Sequence, residues 1–125
     1  MHWLVDGMNV IGTRPDAWWR DRHGAMVRLV DLLERWSADN GEDVTVVFEH
    51  PPRPPIRSSV IEVAHAPRAR ANSADHEIVR RLRAIDNRSA VWVVTSDHWL
   101  ADQAHLLGCA VQASASFRDR IEGGW

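Results

Sequence analysis

Apolar residues along this chain fall into short runs and helical stripes that alternate. Trp3 to Val5 forms a brief apolar run that predicts a strand, closed by Asp6-Gly7-Met8-Asn9, where acid, glycine and amide predict a turn. After a polar stretch holding Trp18 and Trp19, the positions Met26, Leu29, Val30, Leu33 and Trp36 recur at helical spacing, and Asn40-Gly41 supplies a stop. Val44 to Phe48 is a continuous β-branched and aromatic run of the kind buried on both faces of a sheet, followed by Glu49. Pro51, Pro52, Pro54 and Pro55 exclude regular structure next, so Arg53 and Arg57 ride a stiff loop before a strand expected over Val60 to Val63.

A second loop, Ala66 to Asn72, carries Arg68 and Arg70 and leads to Ser73, a good N-cap for a helix to about Ile85 whose third residue is Asp75. Ala90 to Thr95 is the most apolar strand, followed by Ser96-Asp97 and a helix through Leu107. Ala110 to Gln112 reads as the last strand, and Phe117 to Glu122 as a terminal helix. Strands alternating with helices predict an α/β fold: one domain over residues 1–125, three-layer αβα, with a mainly parallel central sheet.

Composition narrows the function. Hydrophobic residues at 45% and charged residues at 26% are globular values. A net charge of −2 argues against bulk electrostatic coating of nucleic acid, so any such contact is local. All fifteen basic residues are Arg, a bias that genomic base composition explains first and that also favours planar bidentate contacts to phosphate. Met1 to Asp6 reads as a strand and not as a signal peptide, and no apolar stretch approaches membrane-spanning length, so the expected location is the cytoplasm, away from membranes. The single cysteine, Cys109, is expected to pack in the core.

The candidate chemistry lies in the acids. In open parallel sheets functional groups gather outside the carboxyl ends of the strands, and Asp6, Glu49 and Asp97 all follow predicted strands. Asp75 stands three residues before Ile78 and extends the stripe through Leu82 and Ile85, so it faces the sheet. Any one of these acids has a plain alternative as a helix cap; four together do not. Two carboxylates about 5 Å apart repel by roughly 3 kcal/mol at an effective dielectric near 20, so such a cluster calls for a cation, and oxygen-only donors favour Mg²⁺ or Mn²⁺. A metal ion held there suits phosphodiester hydrolysis. Arg53, Arg57, Arg68 and Arg70 are candidate phosphate contacts, with solvated loops as the alternative, and Ser96 beside the last acid is grouped with them.

The runs Leu4-Val5-Asp6-Gly7-Met8-Asn9-Val10-Ile11, Ala74-Asp75 and Val93-Val94-Thr95-Ser96-Asp97, in that order over nearly the whole chain, resemble the NYN-domain, YacP-like nucleases. The resemblance implies a PIN-like fold and a metal-dependent ribonuclease that cuts internally. It makes Asp6, Asp75 and Asp97 the metal-binding carboxylates and Asn9 an accessory polar group. Asp102 would be the further acid that PIN-like nucleases place beyond the Ser-Asp turn. Gln103, Gly108 and Ser114 to Phe117 also match. The chain departs from the pattern at Val47-Phe48-Glu49-His50, where many relatives have a Phe-Asp pair.

Other features carry less. Seven histidines are scattered without zinc spacing, and Asp75-His76 and Asp97-His98 reverse the order of HD phosphohydrolases. His98 and Asp102 lie one helical turn apart, which allows a pairing near the metal. Trp18-Trp19 are expected to pack, with stacking on unpaired bases as the alternative. Gly7 alone makes no dinucleotide loop. The expected partner is RNA, single-stranded, free or presented by the ribosome, acted on by a monomer or homodimer. The rival readings are a catalytically silent RNA-binding or protein-interaction module of this fold, and a small-molecule phosphohydrolase using the same acids.

Overall fold

A computed structural model describes residues 1–67 and 73–123, and its centre is one parallel sheet. The strands are β1 (His2–Asp6), β2 (Asp43–Phe48), β3 (Glu62–His65), β4 (Val91–Val94) and β5 (Ala110–Gln112), in the spatial order β3-β2-β1-β4-β5. Every neighbouring pair is parallel, and β1 lies in the middle with Val5 opposite Val46 on one side and Val94 on the other. The helices are α1 (Gly7–Ile11), α2 (Arg22–Asn40), α3 (Ser73–Arg83), α4 (His98–Leu106) and α5 (Ser114–Gly123).

The two-residue period of the strands divides the core. Trp3, Val5, Val44, Val46, Phe48 and Val94 face α1, α2 and α5, where Leu29, Leu33, Trp36 and Phe117 cover them. Leu4, Val47, Val91 and Val93 face the other side, under Ile78 and Leu82 of α3 and Leu100 of α4. Helices cover both faces, so the fold is the expected three-layer α/β sandwich, with Cys109 buried as plain packing. The long helix stops where Gly41 takes a left-handed φ of 64°, as Asn40-Gly41 predicts.

Three expectations need correction. Gly7 to Asn9 do not form a turn but open the helix α1, and the close approach demands Gly7: a Cβ there would lie 2.6 Å from the Phe48 ring. Helix periodicity is unreadable over five residues. The strand expected at Val60 to Val63 begins two residues later, because the Ser58 hydroxyl accepts the N–H groups of Val60 and Ile61 and bends that segment out of the sheet. The terminal helix begins at Ser114, ahead of Phe117. Arg68 and Arg70 lie outside the described residues. Among the described residues no helix is long and apolar enough to cross a membrane.

Candidate active site at the carboxyl edge of the sheet

Chain order places β2 and β3 on one side of β1 and β4 and β5 on the other, so the strand order reverses between β1 and β4. In such sheets that reversal opens a crevice at the carboxyl ends. Asp6 ends β1, Glu49 follows β2, Asp97 follows β4, and Asp75 enters from the first turn of α3. Together with Met8 and Asn9 they line one open cleft of about 210 Å³. The sequence reading thus brings its three principal acids together, and Glu49 with them.

Their surroundings differ. Asp6 is only 4% exposed and sits at the N-cap position of α1 without capping it through its side chain. Its Oδ2 accepts instead from the Thr95 hydroxyl at 3.1 Å. That hydroxyl accepts from the Asp97 N–H at 3.1 Å, so its single proton points at Asp6. Asp97 is the one acid of the four whose side chain caps a helix, Oδ1 accepting from Leu100 N–H at 2.9 Å. The capping alternative therefore holds for Asp97, and for one of its oxygens.

Asn9 ties three elements together. Its Oδ1 accepts from the Ser96 N–H at 2.9 Å and from the Ser114 hydroxyl, joining α1 to the turn after β4 and to α5. With that oxygen occupied the amide's orientation is set, and its NH₂ is what remains for the cleft: a donor suited to phosphate oxygen, not a metal ligand. Ser96 is spent in the same clip, since its hydroxyl accepts from Ser114 N–H at 3.0 Å, and it does not line the cleft. Thr95 and Ser114 are the functional positions that residue-type reasoning passed over; the signal was the Thr-Ser-Asp triplet and the Ser114 match.

Electrostatics mark the cleft as unfinished. Burial first, then the neighbouring Asp75 charge, pushes the Asp6 carboxyl up to about 7, against the opposing pull of Thr95 and the Asn9 backbone. Burial and the Asp97 charge push Asp75 up to about 6, with Glu49 adding to the rise. Two buried acids thus compete for protons near neutrality, which a cation would relieve. Among the described residues no group of three or more His, Cys, Asp and Glu side chains is placed so as to hold a metal ion. By donor chemistry, an open rim of carboxylate oxygens suits a hard cation that keeps part of its water, and Asp6, Asp75 and Asp97 are the residues that would hold one.

The remaining candidates lie apart. Asp102 is exposed on α4 and does not line the cleft, so the structure does not bring it to the other acids. Five positions past the Asp97 cap it has turned away from the sheet, beyond Trp99 and short of Leu106, both exposed. Arg53 and Arg57 are exposed on the proline loop that leaves the carboxyl end of β2. That loop is held to α2 by His23, whose ring bonds the Pro54 carbonyl at 2.8 Å, and by Ser58 on Glu34 at 2.7 Å. Trp18 packs on the first core while Trp19 stays exposed.

Fold and cleft together define an α/β protein with a carboxylate site at its topological switch point. The chain belongs to the YacP-like NYN domain family, a family of ribonucleases, whose profile matches residues 3–123. Its fold is that of the crystal structure of Rae1 (YacP) from Bacillus subtilis, with 22% identity over 98% of this chain and 74% of that one and a TM-score of 0.81. A variant of that protein with one tryptophan changed to leucine matches at 23% identity, 98% and 75% coverage and a TM-score of 0.81. No curated protein matches the chain in sequence.

Proposed function

We propose that this chain is a divalent-metal-dependent endoribonuclease, working as a single cytoplasmic nuclease domain on single-stranded RNA. The observation that carries the reading is the convergence of Asp6, Asp75 and Asp97 in one cleft, where among the described residues none of the three forms a salt bridge and burial with neighbouring acid charge raises the pKa of Asp6 and Asp75. Bound Mg²⁺ or Mn²⁺ would lower the pKa of water and offset charge on phosphate. The chain's own residues supply the rest. Asp6, kept as an acceptor by Thr95, and Asp75 hold negative charge at fixed positions. The Asn9 NH₂ donates to a phosphate oxygen. Arg53 and Arg57, and Arg68 and Arg70 on the second loop, pair with flanking phosphates.

Cleavage of labelled single-stranded RNA, with Mn²⁺ or Mg²⁺ and with a chelator, tests this. Chelator-sensitive cutting that falls at least about 100-fold in Asp97→Asn is expected. Equal cutting by wild type and Asp97→Asn contradicts the assignment, and RNA binding without cutting favours the silent module of the same fold. Hydrolysis of small phosphate esters in preference to RNA would favour the phosphohydrolase. Cosedimentation with ribosomes checks presentation by that particle.

A further inference from the structure

A second cleft, of about 290 Å³, opens beside the first and shares Asp75 and Asp97 with it; its other walls are His76 and Trp99. That volume is near the lower end for small-ligand sites. His76 is the fourth residue of α3 and Trp99 the second of α4, and both helices pack on the same face of the sheet. The two rings lie with centroids 4.9 Å apart, tilted by 53°. Neither belongs to a core cluster: His76 is exposed and Trp99 is 43% exposed, whereas Trp3 stacks on Trp92 and meets Trp36 edge-on in the first core. The exposed part of the Trp99 indole stands beside Asp75 and Asp97, where with the His76 ring it offers an apolar π-surface at the rim of the acidic cleft.

We infer that His76 and Trp99 form a stacking shelf for one unpaired nucleobase, next to the phosphate bound at Asp6, Asp75 and Asp97. The assignment rests on the nuclease reading and deepens it by naming what selects the substrate. A rim of carboxylates repels a phosphate backbone except where a metal ion intervenes. The neighbouring nucleotide is therefore best received through its uncharged base, and a π-face meets any base without regard to sequence. Bases in a duplex are already stacked and turned inward, and they cannot reach a shelf that lies beside the phosphate site. The shelf thus favours single strands and exposed loops, through two side chains that are not metal ligands. Trp99 acts here as a specificity-determining residue, not a catalytic one.

The test is rapid-mixing anisotropy with the full chain in Mg²⁺, read before cutting, on three labelled oligomers: single-stranded RNA, blunt duplex RNA, and an abasic ribose-phosphate strand of equal length. Trp99→Ala is expected to weaken single-stranded RNA by roughly 5- to 100-fold, while Trp99→Phe stays near wild type and duplex binding is unchanged. Wild type should bind the abasic strand as weakly as Trp99→Ala binds intact RNA, a comparison that needs no variant to fold. Unchanged single-strand binding by Trp99→Ala, with Asp97-dependent cleavage intact, overturns the shelf and leaves the nuclease. Equal losses on single strand and duplex also overturn it, since base stacking would spare the duplex. If wild type neither cuts nor binds any RNA, the nuclease reading itself fails and the shelf with it.

Discussion

Glu77 and Asp6 are equally buried, each 4% exposed, yet the fold treats their charges in opposite ways. Glu77, on α3, receives Arg80 through two nitrogens at 2.9 and 2.6 Å and Arg81 at 2.8 Å. Those bonds, Arg80 foremost, hold its carboxyl below the usual range. Arg81 reaches on to Glu62 at the start of β3, Glu62 accepts from Thr45 at 3.0 Å, and Thr45 meets the His2 ring at 3.0 Å. Toward the amino ends of the strands, then, acids are satisfied by cations and hydroxyls, and the network fastens α3 to the sheet. At the carboxyl ends Asp6 has a hydroxyl and a backbone N–H but, among the described residues, no cation, and Asp75 is beside it. The contrast separates a structural acid from a candidate functional one more sharply than burial does: both cost desolvation, and among the described residues only Glu77 is repaid by cations.

The two acids should therefore answer the same substitution with opposite signs. Asp6→Asn, which removes a buried charge without changing shape, is expected to stabilise the metal-free protein at pH 8 by on the order of 2–4 kcal/mol in denaturant melts. Glu77→Gln should destabilise by about 1–2 kcal/mol, because the hydrogen bonds it loses are charge-assisted on the buried side. The pH dependence follows from the same signs. Asp6 and Asp75 have raised pKa values, so their contribution is full below pH 3.8 and is lost as pH climbs through about 6 and then 7. Glu77 is shifted down, so its contribution is present above 4.5 and is lost on further acidification. Metal-free stability should accordingly fall from pH 5 to pH 8 in wild type, and the fall should shrink in Asp6→Asn. The smallest effect is expected from Thr95→Val, which keeps the shape but removes the hydroxyl that donates to Asp6 and accepts from the Asp97 N–H: about 10-fold weaker metal binding by calorimetry, with a loss of stability on the order of 1 kcal/mol.

These contrasts bear on what a sequence can disclose. Strands with near-continuous apolar runs, Val44 to Phe48 and Ala90 to Thr95, were legible because burial on both faces leaves only threonine as a polar residue within them. Asp6, Glu49 and Asp97 were legible through their places at strand ends, and Asp75 through its helical spacing from Ile78 and Leu82. Helix α1 was not, since five residues containing Gly7 and Asn9 carry turn propensity, and the contacts that hold them, Gly7 against Phe48 and Asn9 on Ser96 and Ser114, are tertiary. The distance of Asp102 from the cleft depends on the pitch of α4 beyond its cap. The bonds Thr95 to Asp6 and Ser114 to Asn9 join positions 89 and 105 residues apart, and no local pattern encodes them.

The unfinished charge at the carboxyl edge is tested most directly by thermal melting of the full chain at pH 8 during titration with Mn²⁺. A metal ion that binds the folded state alone raises the melting temperature with the logarithm of its concentration above the dissociation constant. Wild type should gain several degrees, Asp75→Asn should gain little, and Glu77→Gln, though less stable, should gain as much as wild type. A wild-type melting temperature that Mn²⁺ and Mg²⁺ leave unmoved, or an equal rise in Asp75→Asn, would contradict a cation site built from Asp6, Asp75 and Asp97.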